Sequence, residues 1–92
     1  MVKYKVFFSK LADKDKKLLK QAGLEEKAKN LIDIISENPY QTPPSYEKLK
    51  GNLEGLCSRR ISLQHRLVYK VFEEEKEIFI VRMWSHYDKV IM

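Results

Sequence analysis

Three kinds of side chain that could act together on an RNA phosphodiester occur in the second half of this chain. Glu47 stands near the middle, Arg60 and Arg66 follow, and His86 lies near the end. Cleavage of RNA by the neighbouring 2′-hydroxyl requires a base for that hydroxyl, cations for the charged transition state and an acid for the departing 5′-oxygen. A carboxylate, guanidinium groups and an imidazole supply these functions without a metal ion.

Glu47 is the candidate general base and His86 the candidate general acid. An imidazole titrates near neutrality and can protonate a leaving alkoxide. Because a solvated carboxylate is a weak base, we expect Glu47 to be buried against the fold. The alternative is an ordinary solvated glutamate in a run of charged residues. His65, at the start of a predicted strand, is interpreted as structural.

The candidate phosphate-binding cations differ in residue type and in their position on the predicted strands. Arg60 and Arg66 are the preferred phosphate clamps, because a guanidinium offers two parallel donors to paired oxygens. Arg59 has the opposite strand parity and is interpreted as peripheral. Lys50 could contact phosphate or simply be solvated, and the ring of Tyr87 offers a surface for base stacking.

The residues that commonly bind metals or cofactors lack the necessary spacing. Two histidines, one cysteine and scattered carboxylates form no zinc pattern, and no EF-hand or Gly-rich phosphate loop is present. We therefore expect neither a metal nor a cofactor. Cys57 has no candidate base nearby in sequence, so a thiol nucleophile is not favoured.

Length and composition set further bounds. Ninety-two residues are expected to form one domain, residues 1–92, and one cysteine excludes a disulfide framework. The net charge of +5 favours nucleic acid or an acidic protein as partner, although many small domains carry such charge for solubility alone. Without an apolar run of about 20 residues or a signal peptide, we expect a cytoplasmic protein with no membrane contact.

The first half of the chain predicts a strand and two helices. Apolar and polar residues alternate over 2–8, Ser9 can cap a helix, and Gly23 suits the end of that helix. A second amphipathic helix begins near Leu24 and stops at Asn38, before a proline.

The second half predicts strands. Residues 39–56 form an irregular connection that contains a short turn at 47–50, and three strands follow at 57–61, 66–72 and 78–87. The order β-α-α-β-β-β predicts an α+β fold, with a two-helix hairpin packed on a small antiparallel sheet.

Strand parity predicts which side chains share a face. If residues 73–77 form a loop, Phe72 lies opposite Ile78 and Val68 lies opposite Arg82. A three-residue turn at 62–64 places Arg60 beside Arg66, whereas a turn longer by one residue would move Arg60 to the other face. The predicted cationic face holds Arg60, Arg66, Lys70, Arg82 and His86. The predicted core face holds Leu67, Tyr69, Val71, Phe79, Val81 and Met83.

Three motifs resemble the YoeB (Txe) family of bacterial toxins, within the RelE-like superfamily. They are Glu47-x-Leu-Lys50-x-Asn-Leu-x-Gly55-x-x-Ser58-Arg59-Arg60-Ile61, His65-Arg66-Leu67-Val68-Tyr69 and His86-Tyr87. The chain departs from the family in having Cys57 where a large aromatic is frequent, and in continuing for five residues after Tyr87.

The resemblance implies a RelE-like fold and cleavage of mRNA in the ribosomal A site, leaving a 2′,3′-cyclic phosphate and a 5′-hydroxyl. It implies Glu47 as base, His86 as acid and Arg66 at the transition-state phosphate, helped by Lys50, Arg60 and Tyr87. The implied partners are a YefM-like antitoxin, the bacterial ribosome with its mRNA, and in some members a second copy of the chain.

Two other functions remain open from the residues. A ParE-like inhibitor of DNA gyrase would keep the fold without RNA chemistry, and a basic RNA-binding module would bind RNA in a salt-dependent way without cutting it.

Overall fold

Two helices and five strands follow one another in the order β-α-α-β-β-β-β. A computed structural model of the chain describes residues 3–43, 45–51, 54–62 and 65–84. The elements are β1 (Lys5–Phe8), α1 (Lys10–Gln21), α2 (Glu25–Glu37), β2 (Glu47–Lys48), β3 (Leu56–Arg60), β4 (Arg66–Phe72) and β5 (Glu77–Arg82). The predicted α+β fold is confirmed. The addition is β2, a two-residue strand where the sequence predicts a turn.

The strands form one sheet in the order β1-β5-β4-β3-β2. The pairs β2–β3, β3–β4 and β4–β5 are antiparallel, as predicted, whereas β1 joins β5 in parallel. The last strand in the described part of the chain therefore lies between the first strand and the rest of the sheet.

The helices begin and end where the sequence predicts. Ser9 caps α1: its Oγ accepts the N–H of Ala12 at 3.0 Å and donates to the carbonyl of Val81 at 2.7 Å, which ties the helix start to β5. Gly23 follows α1 with φ +74°, the left-handed conformation that glycine adopts without strain. The second helix buries Ala28, Leu31 and Ile35.

The register between β4 and β5 differs from the prediction at one end and agrees at the other. Phe72 lies opposite Glu77 instead of Ile78, because β5 begins one residue earlier than predicted. A β-bulge beside Val68 and Tyr69 absorbs the one-residue difference, so Val68 does lie opposite Arg82.

The register set by the early start of β5 also determines which of its side chains face the core. Ile78 and Ile80 are fully buried, whereas Phe79 lies opposite Lys70 and is 37% exposed. The prediction that Phe79 faces the core is therefore wrong, and Val81 is only half-buried. Of the other predicted core residues, Leu67, Tyr69 and Met83 are buried and Val71 packs against the cluster that they form.

A buried ion pair fastens α1 to the end of β5. The carboxylate of Asp15 is 2% exposed and accepts hydrogen bonds from Arg82 Nε at 2.9 Å, Arg82 Nη2 at 3.3 Å and the backbone N–H of Met83 at 2.9 Å. Asp15 thus links helix and sheet through both a side chain and the backbone.

Neither helix in the described ranges is long and apolar enough to cross a membrane.

Replacing Asp15 with alanine should lower the free energy of unfolding by about 3–5 kcal/mol, because it leaves the guanidinium of Arg82 partly buried without its carboxylate. The matched control is Asp13→Ala in the same helix. The exposed Asp13 forms an ion pair with the exposed Lys16, so its loss should cost about 1 kcal/mol or less. Urea denaturation measures both, and equal losses in the two variants would contradict the assignment.

Candidate active site

Glu47 and Arg66, distant in sequence, meet on the face of the sheet that the helices do not cover. Arg66 opens β4, and its Nη1 donates to Glu47 Oε1 at 3.1 Å and to Ser58 Oγ at 3.3 Å. The pairing of Glu47 with Ser58 across β2 and β3 brings the carboxylate to this position. One guanidinium thus joins the edge strand to the two strands beside it.

The burial expected of Glu47 is not found. Its side chain is 57% exposed, whereas that of Arg66 is 15% exposed. The short strand β2 lies at the sheet edge, where water reaches the carboxylate from outside. Glu47 is therefore an ion-paired, hydrated carboxylate at the edge of the sheet.

Arg60 and Arg66 are direct partners across β3 and β4, which confirms the predicted juxtaposition. Arg60 is exposed, and so is Lys70, which shares its face on β4. Lys50 is exposed in the connection that follows β2. The outer face of β3 and β4 therefore presents cations suited to an anionic oxygen.

Arg82 does not belong to this cationic face. Its register opposite Val68 is as predicted, but its guanidinium binds the buried carboxylate of Asp15 in α1. Strand parity assigns a residue to a face, whereas a long side chain near a bulge can reach a buried opposite charge on another element.

His86 and Tyr87 lie outside the described residues, so their positions relative to Glu47 and Arg66 remain predictions. Two residues before His86, Trp84 is half-buried and packs against the core. His65 stacks on Trp84 with ring centroids 4.0 Å apart, and its Nδ1 contacts the Trp84 carbonyl oxygen. A carbonyl can only accept, so Nδ1 carries the proton. These contacts agree with a structural role for His65.

The prediction for Arg59 is correct about its face of the sheet but wrong about its exposure. Arg59 faces away from Arg60 and Arg66, as its parity predicts, yet it is 1% exposed and not peripheral. Its Nε donates to the hydroxyl of Tyr69 at 3.0 Å, and its Nη2 donates to the carbonyls of Pro39 at 3.0 Å and Gln41 at 2.8 Å.

Cys57 lies under the connection between α2 and β3. It is 7% exposed and borders a cavity of about 270 Å³ with Tyr40, Lys48 and Leu49 among its lining residues. Burial raises the pKa of the Cys57 thiol, although the charges of Lys48 and Arg59 oppose that shift. A thiol in this position is a poor nucleophile. In the described ranges no three His, Cys, Asp or Glu side chains are grouped closely enough to hold a metal ion.

Comparison with known proteins matches most of the chain to the family that its sequence motifs resemble. A family model described as a YoeB-like toxin of bacterial type II toxin–antitoxin systems matches residues 6–87. A toxin YoeB of Synechocystis sp. is 39% identical over 75 residues, which make up 82% of this chain and 78% of that relative.

Solved structures agree. The YoeB/ParE toxin from Agrobacterium tumefaciens has a TM-score of 0.82 at 28% identity, over 90% of this chain and 99% of that one. A YoeB–YefM complex from Staphylococcus aureus has a TM-score of 0.77 at 36% identity, over 91% of this chain and 98% of that one. A YoeB dimer from Staphylococcus aureus has a TM-score of 0.76 at 34% identity, over 92% of this chain and 99% of that one.

Tyr69 should make the stability of the fold sensitive to alkaline pH. Burial raises its pKa to about 12, against the opposing effect of the Arg59 hydrogen bond. A tyrosine in the unfolded chain ionises near pH 10, so the contribution of Tyr69 is fully present below about pH 10 and is lost as pH rises towards 12. A difference of two pKa units corresponds to about 2–3 kcal/mol.

Tyr69→Phe should therefore have a flatter dependence of unfolding free energy on pH between 10 and 12, measured by urea denaturation. It should also be less stable at pH 8, because it lacks the hydroxyl that binds Arg59 and Pro39. Parallel pH curves for the wild type and the variant would contradict the assignment to Tyr69.

Proposed function

This chain belongs to the family of YoeB-like toxins of bacterial type II toxin–antitoxin systems, and from that premise we propose that it is an endoribonuclease that cuts mRNA in the ribosomal A site. The observation that carries the proposal is the contact of Arg66 with the exposed carboxylate of Glu47, on the face of the sheet where Arg60 lies opposite Arg66. The contact joins the proposed base and the proposed phosphate-binding residue by one hydrogen bond.

In the proposed reaction an RNA phosphate takes the place of Glu47 beside Arg66. The released carboxylate accepts the proton of the 2′-hydroxyl, and the 2′-oxygen forms a bond to phosphorus. The bond from phosphorus to the 5′-oxygen breaks, and His86 gives that oxygen a proton. The products are a 2′,3′-cyclic phosphate and a 5′-hydroxyl.

The cations act on the charge of the pentacoordinate transition state. Arg66 donates to its equatorial oxygens, while Arg60 and Lys50 hold the flanking charge of the RNA. Tyr87 is assigned as a helper that stacks against a base.

The exposure of Glu47 supports dependence on the ribosome. A hydrated, ion-paired carboxylate does little on flexible RNA, because its alignment does not suit the reaction. An mRNA held rigidly in the A site supplies the alignment and excludes water. The proposed setting is the bacterial cytoplasm, where the ribosome works.

The proposed protein partners follow from the relatives. An antitoxin similar to YefM would neutralise the toxin, and a second copy of the chain could form a homodimer, as in the two Staphylococcus aureus structures.

Glu47→Gln should slow cleavage by about 10²–10⁴-fold, because it removes the base and keeps the shape of the side chain. Primer extension on a defined mRNA in a reconstituted bacterial translation reaction measures the rate at the A-site codon. The matched control is Glu54→Gln, an exposed carboxylate in the same connection, which should cleave at the wild-type rate.

The same reaction distinguishes the alternatives. Undiminished cutting by Glu47→Gln would overturn the assignment of the base. Intact mRNA with the wild type, together with altered plasmid supercoiling in arrested cells, would identify a gyrase inhibitor. Salt-dependent RNA binding without any product would identify a non-catalytic module.

A further inference from the structure

We infer that Arg59 is a positioning residue that fixes the segment carrying Glu47 and thereby sets the geometry of the proposed base. The inference rests on the proposed function for its catalytic part. It does not make Arg59 a ligand of RNA, because the side chain is 1% exposed and lies on the face opposite to Arg60 and Arg66.

Arg59 gathers a segment that has little regular structure of its own. Its Nη2 donates to the carbonyls of Pro39 at 3.0 Å and Gln41 at 2.8 Å, at the start of the connection. Its guanidinium carbon lies 4.8 Å from the centroid of the Tyr46 ring, at the end of the connection. One buried group thus contacts both ends of residues 39–46.

The second contact is made with Tyr46, the residue immediately before the proposed base Glu47. The strand β2 pairs with β3 through only Glu47 and Lys48, which is too short a ladder to fix the carboxylate alone. On the far side Leu49 is buried, and its N–H donates to the carbonyl of Leu56 at 2.9 Å. The edge strand is therefore held by Leu49 after it and by Arg59 before it.

Tyr69 sets the direction of the guanidinium. The Tyr69 hydroxyl accepts from Arg59 Nε at 3.0 Å and donates to the Pro39 carbonyl at 3.0 Å, so three groups close a small buried network. The planar fork of arginine reaches acceptors in several directions while its face rests on a ring. A lysine at this position keeps the charge but cannot make the same set of contacts.

The test compares Arg59→Lys with the wild type in the reconstituted translation reaction. We expect kcat to fall by about 10- to 100-fold, because displacement of a catalytic group by about 1 Å can cost 10²-fold, while KM changes little. In a Glu47→Gln background Arg59→Lys should have no further effect, since the group that it positions is already absent.

The matched control is Arg82→Gln, which breaks a buried link between α1 and β5 without touching the segment before Glu47. Any fall in kcat that Arg82→Gln causes should be by the same factor in the wild-type and Glu47→Gln backgrounds. If Arg59→Lys behaves in the same way, Arg59 is merely structural and the inference is overturned.

A second measurement does not depend on activity. Cys57 lies beneath the connection, so alkylation of its thiol by iodoacetamide reports release of that segment. Arg59→Lys keeps the positive charge that lowers the pKa of Cys57, so faster alkylation must come from exposure. We expect an increase of about tenfold in the native state, and a rate equal to that of the wild type would overturn the positional claim.

Tyr46→Leu covers the case in which Arg59→Lys does not fold. It removes the ring from the guanidinium at a half-buried site and should lower kcat and speed alkylation in the same direction, whereas Tyr46→Phe should keep both near wild type. Where residual cleavage in the Glu47→Gln background is undetectable, the kcat values and Cys57 alkylation rates of the single variants test the inference. A wild type that leaves mRNA intact refutes the proposed function, and the alkylation rates still judge the positional claim.

Discussion

The pairing of β3 with β4 places Arg60 directly opposite Arg66, and the outer face of the sheet depends on how that repulsion is relieved. Like charges at opposed positions destabilise a sheet. Glu47 on the neighbouring edge strand offsets part of the charge by binding Arg66. The same geometry that costs stability favours an anion beside the two guanidinium groups, and the carboxylate of Glu47 is that anion for Arg66.

Three arginines of the sheet differ in burial and in the groups that they bind. Arg59 is enclosed and bound to backbone carbonyls, Arg82 is bound to the buried Asp15, and Arg66 is partly exposed with an acceptor that water also reaches. Only Arg66 can exchange its partner without opening the core. A charge that must meet a substrate needs a partner that is easily displaced, whereas a charge that holds the fold needs one that is not.

Much of the fold follows from local sequence signals, and the unpredicted parts depend on long-range contacts. The Ser9 cap, the helix end at Gly23 and the pairing of Arg60 with Arg66 could be predicted because each depends on neighbours or on one short turn. The pairing of Val68 with Arg82 was predicted on an incorrect turn length, and a bulge that leaves no clear mark in the sequence made it correct. Phe79 faces outward because the loop before β5 is one residue shorter than predicted, which places Phe79 opposite Lys70.

The roles of Asp15 and Arg59 could not be predicted for a different reason. Parity and helical period say which way a side chain points but not what lies there, and both residues meet partners at distant positions of the chain. A charged residue at a position that faces the core was the available signal, because such a residue must find a partner. The burial of Glu47 could not be predicted, because it depends on whether the strand that carries it lies at the edge of the sheet.

The position of β5 between β1 and β4 delays completion of the sheet during synthesis of the chain. The first strand finds its only partner in the described sheet 72 residues later, since Lys5 pairs with Glu77. At about 5–20 residues per second, synthesis of that interval takes about 4–14 s. Throughout that time the helices lack Ile78 and Ile80, the centre of the surface on which they pack. A nascent chain therefore cannot complete this fold until β5 has been synthesised.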